Sequence, residues 1–127
     1  MNDYKLLDIT EETFRVSIDS RKVVFFFLDR PSEAKGHAAL TAFTNVGKQH
    51  PEMAFAHIDV EHHPEIARRV MVEQTPAVQI WIDGDLLTSQ ENVVDLTEAM
   101  LNDWLKKATE KSEHHRLYDP LDQEKTL

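Results

Sequence analysis

The stretch Thr75–Gly84, "TPAVQIWIDG", decides the fold of this 127-residue chain. Its apolar segment Ala77–Ile82 has the composition of a β-strand and follows directly on a break at the proline. The next two residues, Asp83-Gly84, are the strongest short hairpin signal in the chain. Leu86–Ser89 then supplies a second strand. The stretch therefore predicts a turn, a strand, a tight hairpin and an antiparallel return strand.

Two upstream strands are internal ones. Val23–Leu28, "VVFFFL", is continuously apolar and rich in β-branched and aromatic residues, which is typical of a central strand covered on both faces. Met53–Val60, "MAFAHIDV", predicts a second internal strand, and Tyr4–Ile9 predicts a shorter one. Because continuous apolar runs are the signature of parallel sheets, these segments are expected to form the parallel half of the sheet.

Helical patterns fill the segments between these strands. Thr10 can cap a first helix, and from Ser32 to Gly47 apolar residues recur at helical spacing. Pro64 suits the first turn of a short third helix, and Asp95–Lys107 predicts a last amphipathic helix. The order β-α-β-α-β-α-β-β-α indicates an α/β fold with a central mixed sheet flanked by helices on both faces.

The charge and the hydropathy of the chain exclude several classes of partner. The net charge is −9, and a chain this acidic repels phosphate backbones, so we expect neither nucleic acid nor an anionic membrane as a partner. No apolar run approaches the ~20 residues that a membrane span needs. The first residues, "MNDYKLLDITEE", lack the basic and apolar regions of a signal peptide, which predicts a cytoplasmic protein.

The chain contains no cysteine, which removes disulfides, thiolate metal sites and thiol catalysis together. Its three glycines form no phosphate-binding loop, and no cofactor is expected. Two histidine pairs, His62-His63 and His114-His115, consist of adjacent residues, and adjacent side chains on a helix diverge by about 100°. Zinc needs three or four convergent ligands, so we expect no native metal site.

The segments "VVFFFLDRPSEAK" and "AHIDVEHHPEIARRVMVEQTPAVQIWIDG" resemble thioredoxin, and the likeness covers about residues 3–107. The resemblance implies a thioredoxin fold over residues 1–109, with Pro76 in the cis form that the family has at this position. Residues 110–127 are polar and are predicted to form a flexible tail.

Other residues occupy the positions of the family's chemistry. The resemblance places the two redox cysteines at Ser32 and Lys35 and the tryptophan before the first of them at Pro31. It places the buried carboxylate at Phe26 and the lysine paired with it at His57. Since disulfide exchange needs a thiolate nucleophile, the resemblance implies a redox-inactive member without the CxxC motif.

The residues that replace the family's buried ion pair are predicted to be core positions. Phe26 is expected to be buried with Leu28 and Ile58 on neighbouring strands. His57 lies on an internal strand and is expected to be partly buried and hydrogen-bonded, because buried polar groups are usually paired.

The residues Ser32-Glu33-Ala34-Lys35 match the serine–lysine pattern S-x-x-K of penicillin-recognising enzymes. The companion S-D-N and K-T-G elements are absent from the chain. A helix start explains the same residues, with Ser32 as the N-cap and Lys35 as a solvated side chain. We interpret the motif as a helix start and assign no catalytic residue.

The first functional hypothesis is a non-catalytic module that binds a protein or an extended peptide segment. In the thioredoxin family the loop before the cis-proline offers its backbone to an extended peptide, as in strand addition. The backbone of Gln74 and Thr75 is therefore expected to face outward and to leave an N–H and a C=O free to pair with an extended segment. The resemblance suggests a chaperone, assembly or adaptor factor. The predicted partner-binding residues are Pro31, Ser32, Lys35, Gln74, Thr75, Pro76, Asn92 and Val93.

Two alternatives stay open at this point. An enzyme could use the same groove without cysteine, with Ser32, Lys35 or His57 as its active groups, and it would need perturbed pKa values in a closed pocket. A domain that mainly dimerises or acts as a scaffold would instead present a large exposed apolar patch.

Overall fold

The computed structural model describes residues 7–8, 10–18, 22–29 and 36–117 of the chain. Helices and strands follow one another in these residues in the predicted order. The elements are β1 (Leu7–Asp8), α1 (Glu11–Ile18), β2 (Lys22–Leu28), α2 (His37–Gln49), β3 (Ala54–Asp59), α3 (Pro64–Arg69), β4 (Ala77–Ile82), β5 (Asp85–Gln90) and α4 (Glu98–Leu117).

The strands form one mixed sheet in the order β1-β3-β2-β4-β5. Strand β3 pairs in parallel with β1 and β2, while β4 pairs antiparallel with β2 and β5. Residues 23–28 of β2 are all buried, because this strand is central and covered on both faces. The predicted α/β fold with a mixed sheet is confirmed.

The alternation of side chains along β2 divides the core into two layers. Phe26 points into a layer that α2 and α4 cover, where Leu101 packs. Phe25 points to the other side of the sheet, where Phe14 of α1 and Ile66 of α3 pack. Each face of the sheet therefore has its own pair of helices and its own apolar layer.

Phe26 is fully buried, as predicted, and its ring centroid lies 5.2 Å from that of Phe43. Leu28 belongs to the same core layer. Ile58 does not, because its neighbour His57 pairs with Phe26 in register and successive strand residues face opposite sides. The prediction that Ile58 packs with Phe26 is wrong for this reason.

The last helix begins and ends later than predicted. Thr97 caps it by accepting a first-turn backbone N–H at 3.1 Å. The helix continues to Leu117, so the predicted domain boundary at residue 109 falls inside it. Ala108 is buried and extends the apolar stripe of the helix. Its neighbours in the sequence are polar, so the apolar pattern does not reveal that the helix continues. The rest of the predicted tail, 118–127, lies outside the described residues. None of the described helices is long and apolar enough to cross a membrane.

Side-chain hydrogen bonds join α2 and its C-cap to α4. We call the network of Asn45, Gln49, His50, Glu98 and Asn102 the α2–α4 seam. Glu98 accepts hydrogen bonds from the side-chain amides of Asn45 and Gln49, both at 3.1 Å. Asn102 donates to Gln49 at 3.3 Å, and its Oδ1 lies 2.9 Å from Nε2 of His50. The seam therefore adds directional contacts to the apolar packing of α4.

Gln79 of β4 is fully buried, and its side-chain amide is satisfied. The Nε2 group donates to the C=O of Val70 and to Oγ of Ser89, both at 3.1 Å. Oε1 accepts the indole N–H of Trp81 at 3.0 Å. These bonds tie β4 to β5 and to the loop that follows α3, which is the loop that leads into the candidate site.

Candidate binding site at the cis-proline rim

Two loops meet beside the start of β4 and form the candidate site. We call residues 70–76 and 91–93 the cis-proline rim. The Thr75–Pro76 peptide bond is cis. Pro76 is buried, and its C=O accepts the N–H of Val93 at 2.9 Å, so this hydrogen bond joins the two loops.

The main chain of Thr75 is one unpaired part of the rim among the described residues. Among the described residues, neither its N–H nor its C=O has a hydrogen-bond partner. Thr75 is half-buried, and Glu73 and Gln74 before it are exposed. Unpaired backbone groups beside the end of a strand can pair with an extended chain. The expected free backbone is therefore present at Thr75.

The backbone N–H of Gln74, unlike that of Thr75, has a partner in Glu91. One carboxylate oxygen of Glu91 accepts the N–H of Gln74 at 3.0 Å, and the other accepts that of Glu73 at 3.4 Å. The side-chain amide of Asn92 donates to Oε1 of Gln74. Asn92 has a φ of 55°, which asparagine tolerates better than most residues. The free N–H and C=O expected in this loop therefore belong to Thr75, because the N–H of Gln74 is occupied; we call these contacts the Glu91–Asn92 clamp.

The other predicted site residues fall into two groups. Pro31, Ser32 and Lys35 lie outside the described residues. Val93 is 6 % exposed and packs in the core layer under the rim, so its side chain supports the loop from beneath. The predicted residues that the structure brings together are Gln74, Thr75, Pro76, Asn92 and Val93.

His57 has a buried ring nitrogen that lacks a partner among the described residues. Its Nε2 makes no hydrogen bond to any described residue, although the sequence predicts a hydrogen-bonded side chain. In the sheet, His57 pairs in register with Asp8 on one side and with Phe26 on the other. Phe26 stands where the resemblance places a carboxylate, and a phenyl ring offers no acceptor or donor for Nε2. The predicted hydrogen bond is therefore wrong for this atom.

A histidine–carboxylate pair lies at the end of β3, whose last residue is Asp59. Nδ1 of His62 contacts the carboxylate of Asp59, and the N–H groups of Glu61 and His62 lie 3.0 and 3.4 Å from its Oδ1. Burial raises the pKa of Asp59, but these hydrogen bonds outweigh burial and hold the pKa below its usual value. The described residues contain no group of three or more His, Asp or Glu side chains that could hold a metal ion.

Sequence reasoning missed a pocket beside the rim. It has a volume of about 400 Å³ and lies between α3 and the loop that follows it. Met71 is 78 % exposed at this pocket and has a φ of 63°. Apolar periodicity does not reveal such a residue, and the available signal was a methionine just after a helix, where glycine is usual. The lining residues are Val60, Pro64, Ala67, Arg68, Met71, Val72 and Glu73.

Comparisons with known proteins find similar solved structures. No protein-family model matches the chain, and no curated protein matches it. One similar chain has a TM-score of 0.70 at 20% identity. It comes from a structure that describes the thiol resolving mechanism in yeast mitochondrial 1-Cys peroxiredoxin via glutathione/thioredoxin systems. The match covers 80% of this chain and 94% of that one.

Two further solved structures have the same architecture. Oxidized mitochondrial thioredoxin 3 from Saccharomyces cerevisiae has a TM-score of 0.71 at 21% identity, over 80% of this chain and 94% of that one. Human ERp44 form I has a TM-score of 0.68 at 13% identity, over 84% of this chain and 30% of that one. These likenesses show the fold, and the absence of cysteine is consistent with no disulfide oxidoreductase activity. The chain has the thioredoxin fold without the thiols of thioredoxin.

Proposed function

We propose that this protein is a redox-inactive, thioredoxin-like binding module that holds an extended protein segment at the cis-proline rim. The observation that carries the proposal is the unpaired main chain of Thr75. Its N–H and C=O offer one donor and one acceptor, which an added strand would satisfy. In strand addition, main-chain pairing supplies affinity, and neighbouring side chains supply selectivity.

Disulfide chemistry is not part of this proposal, because the chain has no thiol to form a thiolate. The fully buried Phe26 stands where the resemblance places the carboxylate that serves the thiols, so that function has no acid to support it. Insulin reduction by dithiothreitol should proceed at the same rate with and without the protein. Clear acceleration would contradict the non-catalytic part of the proposal.

The proposed partner is a protein, and the proposed role is that of a cytoplasmic chaperone, assembly or adaptor factor. The net charge of −9 favours a protein partner over nucleic acid. Four large apolar residues among the described ones are exposed, and so small a number favours a segment-binding module over a dimerising face with a large apolar patch. These residues are Met71, Leu86, Val94 and Met100.

The test uses the isotope-labelled full chain and a peptide selected on it from a phage-displayed library of random dodecapeptides. On titration with the peptide, backbone amide shifts should concentrate on Gln74, Thr75 and Asn92. Peptides with single N-methylated backbone amides should lose affinity most at alternate positions, because alternate residues of a strand face one neighbour with their N–H groups.

Three results would contradict the proposal. Amide shifts confined to α4 would favour a scaffold that binds through its last helix. If N-methylation left the affinity of the peptide unchanged at every position, main-chain pairing would be excluded. A library that yields no binder above background would count against segment binding as such. A peptide of the same composition in scrambled order is the matched control for each measurement.

A further inference from the structure

Five of the seven residues that line the pocket beside Met71 are apolar, and the pocket is open to solvent. Val60 follows β3, Pro64 and Ala67 belong to α3, and Val72 follows that helix. Ala67 and Val72 are buried, whereas Met71 is exposed. A volume of about 400 Å³ lies within the range of small-molecule pockets, so it has room for one large side chain of a bound segment.

Met71 stands in a backbone position that favours glycine. The N–H of Met71 donates to the C=O of Arg68 at 3.2 Å, and the N–H of Val72 donates to the C=O of Ala67 at 2.8 Å. This pair of bonds is the Schellman pattern, in which the residue after the C-cap is left-handed and usually glycine. The φ of 63° places Met71 at that position. A flexible, polarizable side chain is thus held in solvent beside an apolar pocket, which is the kind of surface that adapts to apolar ligands.

The charges around the pocket are mainly negative. Residues 59–74 together with Glu91 carry five carboxylates and two arginines. Arg68 is paired with Glu65 at 2.6 Å. The carboxylate of Glu73 has no partner among the described residues, and it lines the pocket. An unpaired carboxylate at the edge of an apolar pocket selects a basic group beside the apolar one.

We propose that this pocket is a specificity subsite, which accepts a bulky aliphatic or aromatic side chain of the bound segment while a neighbouring Lys or Arg faces Glu73. The inference rests on the proposed function, because the same segment pairs with Thr75. Residues 72 and 75 are three positions apart and are separated by at most ~11 Å. A strand rises about 3.3 Å per residue, so the apolar residue lies no more than about three positions from the residue that pairs with Thr75.

The experiment starts from the peptides that the random dodecapeptide library yields on the full chain. Their sequences should be enriched in a bulky apolar residue with Lys or Arg within a few positions of it. Fluorescence anisotropy with one labelled peptide then compares variants of the chain. Glu73→Lys should weaken binding roughly tenfold, and a peptide with Glu in place of its basic residue should restore it. Met71→Gly should weaken binding about threefold or more, since it removes an apolar contact but suits the backbone.

Matched controls separate the pocket from general effects. Glu110→Lys makes the same charge change at an exposed position of α4, and Met100→Ala removes another exposed methionine; both should leave the affinity within about twofold. Binders that lack basic residues, or that bind Glu73→Lys and Met71→Gly as tightly as the original chain, would overturn the subsite. If those binders still lose affinity on N-methylation, strand pairing at Thr75 stands without the subsite. If N-methylation has no effect either, the proposed function fails as well.

Discussion

The α2–α4 seam and the cis-proline rim are built from the same chemical groups and use them differently. In the seam, the carboxylate of Glu98 accepts two side-chain amides at 3.1 Å, and those amides stand on a helix. At the rim, the carboxylate of Glu91 accepts two backbone N–H groups at 3.0 and 3.4 Å, and those groups belong to a loop. The seam fastens one helix to another above the core, whereas the clamp fastens one loop to another beside an unpaired Thr75.

The difference indicates that the seam contributes to the stability of the fold, whereas the rim has backbone groups available for binding. Local stability in proteins follows buried apolar contacts and protected hydrogen bonds, and binding loops come from the less stable end of the range. Substitutions in the seam and its core layer should therefore change global unfolding. Substitutions in the Glu91–Asn92 clamp of the rim should change local opening or binding and leave global unfolding nearly unaltered.

The largest effect is expected from Phe26→Asp in the core layer under the seam. Phe26 is fully buried against Phe43, and an unpaired carboxylate there costs several kcal/mol out of a typical stability of ~5–15 kcal/mol. Thermal and urea unfolding should show a large loss or no folded state. Phe26→Leu is the control and should lose about 1 kcal/mol. A Phe26→Asp chain that melts like the original would remove Phe26 from the core.

Glu98→Ala breaks the seam itself and should lower the free energy of unfolding by about 1–2 kcal/mol, because two amides lose a charged acceptor. Urea unfolding measures this change. Glu110→Ala, at an exposed position of the same helix, should be nearly neutral. Equal effects at the two positions would mean that the seam contributes nothing beyond helix propensity.

Substitution of methionine by glycine should change the free energy of unfolding in opposite directions in the two regions. At Met71, whose φ is 63°, glycine relieves a left-handed backbone and should stabilise the chain by up to about 1 kcal/mol. At Met100, in the first turn of α4, glycine should destabilise by up to about 1 kcal/mol. Urea midpoints measured side by side test the pair. The same sign at both positions would contradict the left-handed assignment at Met71.

The smallest effect is expected from Glu91→Gln, which leaves the clamp one acceptor oxygen instead of two. Amide hydrogen exchange at Glu73 and Gln74 should accelerate by roughly twofold to fivefold, while global unfolding stays the same. Asp85→Asn, an exposed change on β5, is the control. Unchanged exchange at both amides would mean that the clamp does not protect them.

Apolar pattern explains most of what the sequence predicts correctly. The segment Val23–Leu28 is apolar at every position and indeed forms the central strand. The hairpin around Asp83-Gly84 follows from turn chemistry, which is local. The end of α4 could not be predicted because buried Ala108 is small and stands among polar residues. Small residues such as alanine give a weak periodic signal in the sequence, even where their packing is enough to hold a helix against the core.

The candidate site was predictable in its location but not in its contacts. Thr75-Pro76 marks the rim because an X-Pro step is a local feature of the chain. The Glu91–Asn92 clamp joins residues 17 and 18 positions apart, and no spacing rule predicts such a loop-to-loop contact. His57 was expected to find a partner because buried polar groups usually do, yet Nε2 has none among the described residues. Such details depend on tertiary placement.

The buried amide of Gln79 has a consequence for the alignment of the binding edge. Gln79 pairs with Phe25 in register and so faces the α1–α3 side of the sheet. A shift of β4 by one residue would turn it into the opposite apolar layer and break its three hydrogen bonds. The cost of breaking these bonds therefore fixes the register of β4. Because β4 begins directly after Pro76, it also fixes the position of Thr75 relative to the neighbouring strands. Gln79 is fully buried and cannot contact a ligand, yet by fixing the register of β4 it determines where a bound segment would pair.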